Sequence, residues 1–295
     1  MPPKVSVLMI TYNQERYISQ AIESVLSQQT DFSYEIVVGE DFSTDNTREV
    51  CREYQQRYPD KIRLLERDKN LGMAGNFLST FKECNGQYLA VLEGDDYWVN
   101  PHKLQSQVDF LETHPDFALV FGRTFAFYQN DDRPGYEIPP SNVTSYTLEN
   151  LLTLNYIATC SVMYRNGIIN EYPVWLNKLD MLDWPMHVLH AQYGKIGFID
   201  TLFSNYRIHL GSGYSTRNIL LNYKGILTFY RTINRHLNYG FASVIFKAQS
   251  DIYSAISLMN PVDVSWNERK WSKFLRWYFA VKSRTVVFFS KKAHR

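Results

Sequence analysis

The chain is 295 residues long and 45% hydrophobic, enough to bury one large domain with an appendage, or two domains, and too apolar for a disordered protein. Its formal net charge of +1 excludes a generic polyanion binder, so no nucleic-acid partner is expected. The charge is uneven, however: residues 266–295 hold nine Lys or Arg and one Glu, leaving 22 basic and 29 acidic residues, a net of −7, on the rest.

Residues 5–10 form a continuous apolar run rich in branched side chains, which predicts an interior parallel strand ended by Thr11-Tyr12-Asn13. Ile18, Ala21, Ile22, Val25 and Leu26 then recur at helical spacing. A second strand at 35–38 runs into the polar turn 39–45 and a helix with Val50 and Tyr54 facing inward, stopped by Pro59. A third strand, 62–65, leads through the loop 70–76 into a helix ending near Cys84. Residues 88–92 are the fourth strand and deliver Glu93, Asp95 and Asp96 at its carboxyl end, with Gly94 allowing a tight turn. Three strand-helix units feeding a fourth strand predict an α/β fold with a mostly parallel, doubly wound sheet.

Beyond Asp96 the pattern predicts a helix at 101–114 with Leu104, Val108 and Leu111 on one face, a strand at 117–127, a polar loop at 129–144, a helix at 148–154 and a strand at 158–164. Asp183 is expected to open a helix to about Tyr193, capped by Gly194. Two short strands, 196–199 and 203–208, would then lead to His209 and a Gly-Ser loop at 210–215. From Ser215 onward the chain reads as helices dense in Tyr, Phe and Trp.

Cys51, Cys84 and Cys160 are odd in number and scattered, fitting neither a metal-ligand spacing nor a secreted disulfide framework, so a reducing cytosol is the expected home. The run 5–10 is too short for a signal peptide, and no stretch approaches the ~20 apolar residues needed to span a bilayer. The Asn142-Val143-Thr144 sequon is accordingly expected to be a coincidence.

Four polar constellations fall at successive strand ends: Thr11-Tyr12-Asn13, Glu40-Asp41, Asn70 with Gly72, and Glu93-Gly94-Asp95-Asp96. In a parallel sheet all four share one edge and converge on one crevice. Carboxylates there suit a hard divalent cation, although acid clusters also cap helices. The first strand-helix turn lacks a Gly-x-Gly-x-x-Gly cradle, which argues against dinucleotide cofactors.

These words, Val5-Ser-Val-Leu-Met-Ile-Thr-Tyr-Asn13, Val38-Gly-Glu-Asp-Phe-Ser-Thr-Asp-Asn-Thr47, Asn70-Leu-Gly72, Leu92-Glu-Gly-Asp-Asp-Tyr-Trp98, and Gly194-Lys-Ile-Gly-Phe-Ile199 with Tyr206-Arg207-x-His209, resemble the family 2 glycosyltransferases over about residues 5–215. The resemblance implies a GT-A fold and inverting transfer of a sugar from a nucleotide-sugar, UDP-linked or similar, by a metal-dependent hexosyl- or N-acetylhexosaminyl-transferase. It implies a catalytic domain over 1–214, with a nucleotide-binding half at 1–98 and an acceptor-binding half at 99–214, followed by a helical, basic extension at 215–295.

By the same resemblance Thr11, Tyr12, Asn13 and Asn70 line the nucleotide pocket, Asp41 accepts a hydrogen bond from uracil, and Glu93 sits near the ribose. A carboxylate only accepts, so Asp41 selects a base that presents an N–H; read alone, it is a turn or helix cap. Asp95 would hold Mg or Mn, with Asp96 a second ligand or an orienting neighbour, and Arg207 and His209 would lie near the metal or the diphosphate. Glu93 stands where many members have Asp, and Gly75 where many offer an Arg to the phosphates.

Asp183 is the implied general base, with Asp180 its nearest rival; read alone, Asp183 is a helix cap. His187 and His190 are expected to be packing residues, and Trp98 and Trp184 to stack on sugars or pack at the cleft wall. The loop 210–215 is a candidate lid.

The tail places Trp271, Phe274, Leu275 and Tyr278 on one helical face with Arg269, Lys270 and Lys273 largely elsewhere. Such a helix suits an anionic membrane surface, or docking on its own domain or a second subunit. The implied acceptor is a glycan or lipid-linked saccharide in cell-surface polysaccharide synthesis, met in the cytoplasm or on the inner face of its membrane. Two rivals stand beside this. A sugar nucleotidyltransferase would want a basic, glycine-rich loop after the first strand, which Thr11-Tyr-Asn-Gln-Glu15 does not offer; a non-catalytic nucleotide-sugar-binding protein would have lost the need for Asp95 and Asp183.

Overall fold

The computed structural model describes residues 2–141, 143, 145–212, 217–260 and 264–293, with side chains as far as Arg284. The sequon residues Asn142 and Thr144, the loop tip 213–215 and the side chains of the apolar run 286–289 lie outside the described residues.

A nine-stranded sheet organises the chain. Its amino-terminal half is built from β1 (Val5–Thr11), β2 (Tyr34–Glu40), β3 (Ile62–Glu66) and β4 (Tyr88–Glu93), alternating with α1 (Ile18–Leu26), α2 (Thr47–Arg57) and α3 (Gly72–Phe81). Then follow β5 (Tyr97–Trp98), α4 (Lys103–Thr113), β6 (Phe117–Tyr128), β7 (Tyr136–Ile138), α5 (Leu148–Leu151), β8 (Met163–Arg165), α6 (Asp183–His190) and β9 (Lys195–Ile208). Three helices close the described chain: α7 (Ile219–His236), α8 (Ala242–Leu258) and α9 (Trp266–Ala293). The strand order is β3-β2-β1-β4-β8-β6-β9-β5, with β7 on β6. The long ladders, β1 with β2 and β4, β2 with β3, and β6 with β9, are parallel; the short strands β5, β7 and β8 run against them.

Period-two alternation divides β1 between two layers. Val5, Val7 and Met9 join Ile18, Ile22 and Val25 of α1 and Leu104, Val108 and Leu111 of α4 in one core. Leu8 faces the other way, into a core with Phe77 of α3, Trp184 of α6, Phe229 and Tyr230 of α7, and Ile245 of α8. Helices thus cover both faces, as a doubly wound sheet requires, and α7 and α8 share the core of the sheet. No described helix is long and apolar enough to cross a membrane.

Several expected elements differ. The glycine-bearing stretch 72–76 is already helix: Gly72, at φ +72°, turns the chain, and Asn76 Nδ2 donates to Gly39 O at 2.7 Å, anchoring the first turns on β2. Only the end of 158–164 is strand, because Thr159–Ser161 is a 3-10 turn whose carbonyls serve side chains instead of a ladder: Cys160 O accepts from Trp98 Nε1 and Ser161 O from Gln107 Nε2. Ala191, not Gly194, caps α6; a Cβ on Gly194 would lie 2.8 Å from the backbone of Asp116 and Ala118, so glycine there permits close strand approach. The two runs 196–199 and 203–208 are one strand, β9, in which Asp200 and Thr201 bulge out as pairing jumps from Gly122↔Ile199 to Arg123↔Leu202. The polar loop after β6 contains β7, and the helix at 148 ends at Leu151.

Candidate functional site

Parallel register sets Thr11 opposite Glu40 and Ile10 opposite Glu93, so the carboxyl ends of β1, β2 and β4 lie level. Backbone bonds continue that edge past the strands: the Asp41 N–H donates to Thr11 O at 3.1 Å and the Gly94 N–H to Ile10 O at 3.0 Å. Asp41, a buried carboxyl, accepts from the Leu71 N–H at 2.8 Å, which draws in the Asn70 loop; Asn70 Oδ1 itself accepts from the Gly72 N–H. Burial raises the Asp41 pKa, and the Leu71 and Gly72 amides oppose the rise. Thr11 is buried and donates to Gln14 Oε1, while Tyr12 is exposed. Asn13, at φ +52°, clasps the β2 turn: its Oδ1 accepts from the Thr44 N–H and its N–H donates to Ser43 Oγ. The structure therefore brings all four strand-end constellations to one edge.

At the end of β4 the turn has no room for a side chain, since a Cβ on Gly94 would meet Gln14 Oε1 at 2.6 Å and Thr11 Oγ1 at 2.8 Å. The turn directs three carboxyls differently. Asp95 Oδ2 lies 3.0 Å from His209 Nε2. His209 Nδ1 accepts from the Gly211 N–H at 3.1 Å, so in the neutral ring Nε2 carries the proton and donates to Asp95. Asp96 is buried, and its Oδ1 accepts from the Arg207 N–H at 2.8 Å; burial, then Asp95 and Glu93, push its pKa well above the usual carboxylate range. Glu93 is pushed up to about 8, first by burial and then by Asp95 and Asp183, and its Oε2 is buried without a hydrogen-bond partner.

The Arg207 side chain points into the protein. Nε donates to Asp95 O at 2.8 Å, the Nη groups donate to Gln129 Oε1 and Gln20 Oε1, and the rings of Tyr17, Phe127 and Tyr97 lie 4.6, 5.1 and 5.3 Å from its carbon. This guanidinium braces the acidic turn against β9 and α1.

Asp183 begins α6, and Leu182 is the N-cap, without a side-chain cap bond. Its carboxyl pKa is raised by burial, against which the Trp184 amide and Asn155 hold it down; Asn155 Nδ2 donates to Asp183 Oδ2 at 2.7 Å. Asn155 lies in an unpatterned loop, and no sequence signal marks it. The rival Asp180 is exposed and paired with Arg217 at 3.1 Å. It lines a groove of about 560 Å³ that runs along Leu71 to Gly75 and past Asn177 and Leu179.

Trp98 and Trp184 are buried, with indole N–H groups bonded to Cys160 O and Leu151 O, so both pack instead of presenting a face to the cleft. His187 and His190 are buried and pushed down to about 3 and about 4 by burial, with Tyr164 packed on both.

Among the described residues, no group of three or more His, Cys, Asp or Glu is arranged to hold a cation unaided. Asp95 offers a carboxylate at a partly open edge, while His209, whose Nε2–H donates to it, steadies that carboxylate and would ligate a cation only by giving up this bond. That donor set fits Mg or Mn held by few protein groups and completed by phosphate oxygens.

The model of the family described as glycosyl transferase family 2 matches residues 6–172. An uncharacterized protein of Mycobacterium tuberculosis is 36% identical over 207 residues, 70% of this chain and 59% of the relative, so the chain spans about three-fifths of the length of that relative. The Escherichia coli enzyme WfgD, a UDP-Glc:alpha-D-GlcNAc-diphosphoundecaprenol beta-1,3-glucosyltransferase, is 31% identical over 181 residues, 61% of this chain and 68% of the relative. Among solved structures, Staphylococcus aureus TarS in complex with UDP-GlcNAc is similar at a TM-score of 0.60 and 19% identity, over 99% of this chain and 92% of that one. The mannosyltransferase PcManGT of Pyrobaculum calidifontis, in complex with GDP-Man and Mn2+, gives 0.61 and 14%, over 99% and 88%. At such identities the two structures speak for the fold alone.

Proposed function

Because the chain belongs to glycosyl transferase family 2, we propose that it moves a sugar from a UDP-linked donor to a hydroxyl of a lipid-linked saccharide, inverting the anomeric carbon. The Asp95 and Asp183 carboxyls both act on Glu93 although Asp95 lies within the family match and Asp183 beyond it, and this gathering of acids around the end of β4 carries the proposal. A metal site and a base must act on the same anomeric centre, and scattered capping residues have no reason to gather.

The roles follow from the contacts. Asp41, fixed by the Leu71 amide, is placed to accept from the N–H of uracil, with Thr11, Tyr12, Asn13 and Asn70 around it. Asp95 and His209 would hold Mg or Mn, which when bound supplies positive charge to stabilise the diphosphate as negative charge gathers on it. Asp96 and Arg207 fix the turn that presents Asp95, which supports an orienting part for both. Asn155 donates to Asp183 Oδ2 and so orients the carboxyl that would meet the acceptor. As the acceptor oxygen bonds to the anomeric carbon from the side opposite the diphosphate, its proton passes to Asp183 and the bond to the diphosphate oxygen breaks. Burial, which makes this carboxylate more basic than usual, favours that transfer.

The nucleotide-pocket residues and Asp95 fall within 1–98 and Asn155 and Asp183 within 99–214, from which His209 reaches back to Asp95, so the proposed donor and acceptor halves share the metal site. WfgD acts on a diphosphoundecaprenol-linked GlcNAc with UDP-Glc, and the structural neighbours bind UDP-GlcNAc or GDP-Man with Mn2+. They support a hexose or N-acetylhexosamine donor, a divalent cation and an acceptor carried at a membrane. The test is turnover: the purified chain with a panel of UDP-sugars, a diphosphate-lipid-linked GlcNAc acceptor and Mn should release UDP and form one new β- or α-linked product of inverted configuration. No turnover across the panel, with UDP failing to raise the melting temperature even with Mn, would refute it.

A further inference from the structure

Five of the six tryptophans of this chain fall into two populations, the sixth, Trp175, being partly buried against His236. Trp98 and Trp184 are 4% and 7% exposed, with bonded indole N–H groups, whereas Trp266, Trp271 and Trp277 on α9 are 71%, 63% and 62% exposed. Phe274, Tyr278 and Val281 on the same helix are exposed too. Apolar surface of this kind is uncommon on a soluble face and marks a place where something else sits.

One side of α9 is already taken. Phe279 packs on Phe246 and Tyr253 of α8, Ser272 is buried, and Ser250 Oγ donates to Arg276 O at 3.1 Å. Trp266, Lys270, Phe274, Trp277, Val281 and Arg284 recur at helical spacing on the opposite side, and Trp271 and Tyr278 flank this stripe through ring contacts with Phe274, so the outward surface joins aromatics to part of the basic set. The helix docks on its neighbour and still presents a second surface.

Charge identifies what that surface fits. After Glu268, which accepts from Lys224 at 2.7 Å and from Ser265, the chain carries no further acid, while Arg269, Lys270, Lys273, Arg276, Lys282 and Arg284 follow within the described side chains. A second copy laid face to face would oppose cation with cation. A groove of about 390 Å³ places Lys273, Arg276 and Arg284 around Trp277, Ala280 and Val281, cations beside an apolar wall. A phospholipid surface has the matching parts: phosphate outside and acyl chain just beneath.

We propose that the outward face of α9 is a docking surface for an anionic bilayer, with Trp271, Phe274, Trp277 and Val281 at the headgroup boundary and the basic residues on lipid phosphates. The helix lies on the surface and does not cross it. The inference names the surface by which the lipid-linked acceptor proposed above would be met, yet its physical basis is independent of the transfer reaction.

The full chain, without donor or acceptor, is floated with phosphatidylcholine vesicles and with vesicles about one-third phosphatidylglycerol. Partition onto the anionic vesicles should exceed that onto neutral ones by roughly tenfold or more, fall with added salt, and blue-shift the tryptophan emission. A Trp271→Ser/Trp277→Ser variant should lose the shift and most of the binding. A Lys273→Glu/Arg276→Glu variant should bind about thirtyfold more weakly, the effect of two surface cations at an anionic leaflet. Unchanged circular dichroism establishes that each variant folds. No preference for anionic vesicles would overturn the proposal, as would variants that bind like the parent. So would light scattering that shows a dimer dissolved by Trp271→Ser/Trp277→Ser. Neither nucleotide nor acceptor enters the assay, so its failure leaves the transfer reaction standing, and the converse holds.

Discussion

The two sides of the candidate site are built by different means. On the side proposed for the donor, β1, β2 and β4 deliver Thr11, Asp41 and Glu93 through strand register, and the contacts that hold them join neighbouring strand ends. On the acceptor side, where the parallel run is interrupted by β8, side chains fix the geometry by reaching across the sequence: Asn155 to Asp183, Trp98 to Cys160 O, Gln107 to Ser161 O and Arg207 to Asp95 O. A register is indifferent to most single substitutions. A side-chain brace can be removed by one.

The largest effect expected is on the acceptor side itself. Asp183→Asn should lower kcat by roughly 10²- to 10⁴-fold, the usual range for a lost general base, while UDP with Mn still raises the melting temperature. Turnover equal to the parent would show that the acceptor side holds no base at this position.

Arg207→Gln tests the brace between the two sides. Removing the buried guanidinium leaves Asp95 O and two glutamines without their donor, at a cost of roughly 1–3 kcal/mol. The melting temperature should fall, and Mn affinity, read by calorimetry with UDP, should fall more than UDP affinity without metal. Equal losses of both would mean that Arg207 acts on the donor directly.

Asn155→Ala is expected to cost about tenfold in kcat, the size of one charge-assisted hydrogen bond. Asn155 donates to the ionised form of Asp183 and so lowers its pKa; without it the pKa rises, and the acid limb of the kcat profile should move to higher pH. A limb that stays in place would separate Asn155 from the base.

The effect expected to be smallest on turnover, and to appear in stability instead, lies at Lys103. This lysine is buried, donates to Gln107 Oε1 at 2.7 Å, lies 4.1 Å from the Trp98 ring centre, and is pushed down to about 7 by burial. Above pH 7 the folded chain releases this proton and the unfolded chain keeps it until about 10.4, so stability should rise with pH across that window, by at most ~1.4 kcal/mol per pH unit. Lys103→Met should flatten this part of the unfolding profile. An unchanged slope would mean that another group sets it.

The same contrast decides what could be read beforehand. Branched apolar runs mark β1, β2 and β4, and acids just past their ends mark the edge, because burial and strand direction are written locally. Asp95 and Asp183 stand out through a family resemblance and recognisable neighbours. Asn155 and Gln107 do not, since their partners are distant in sequence and nothing near either residue announces the bond. The 3-10 turn at Thr159–Ser161 reads as strand for the same reason: its apolar neighbours Ala158, Val162 and Met163 fit a ladder, and only the remote Trp98 and Gln107 reveal that its carbonyls are taken. Arg207 is legible as a functional neighbour of His209, but its inward direction depends on Tyr17, Gln20 and Gln129, which sit on other elements.

The pairing of Asp95 with His209 joins positions 114 residues apart. During synthesis, β1 to β4 and the acidic turn leave the ribosome long before β9 exists. A nascent chain bearing every donor-side strand therefore owns the carboxylate without the imidazole, and the arginine that steadies the turn is two codons short of that same histidine. On the function proposed above, the metal site would be complete only after the later segments have been made.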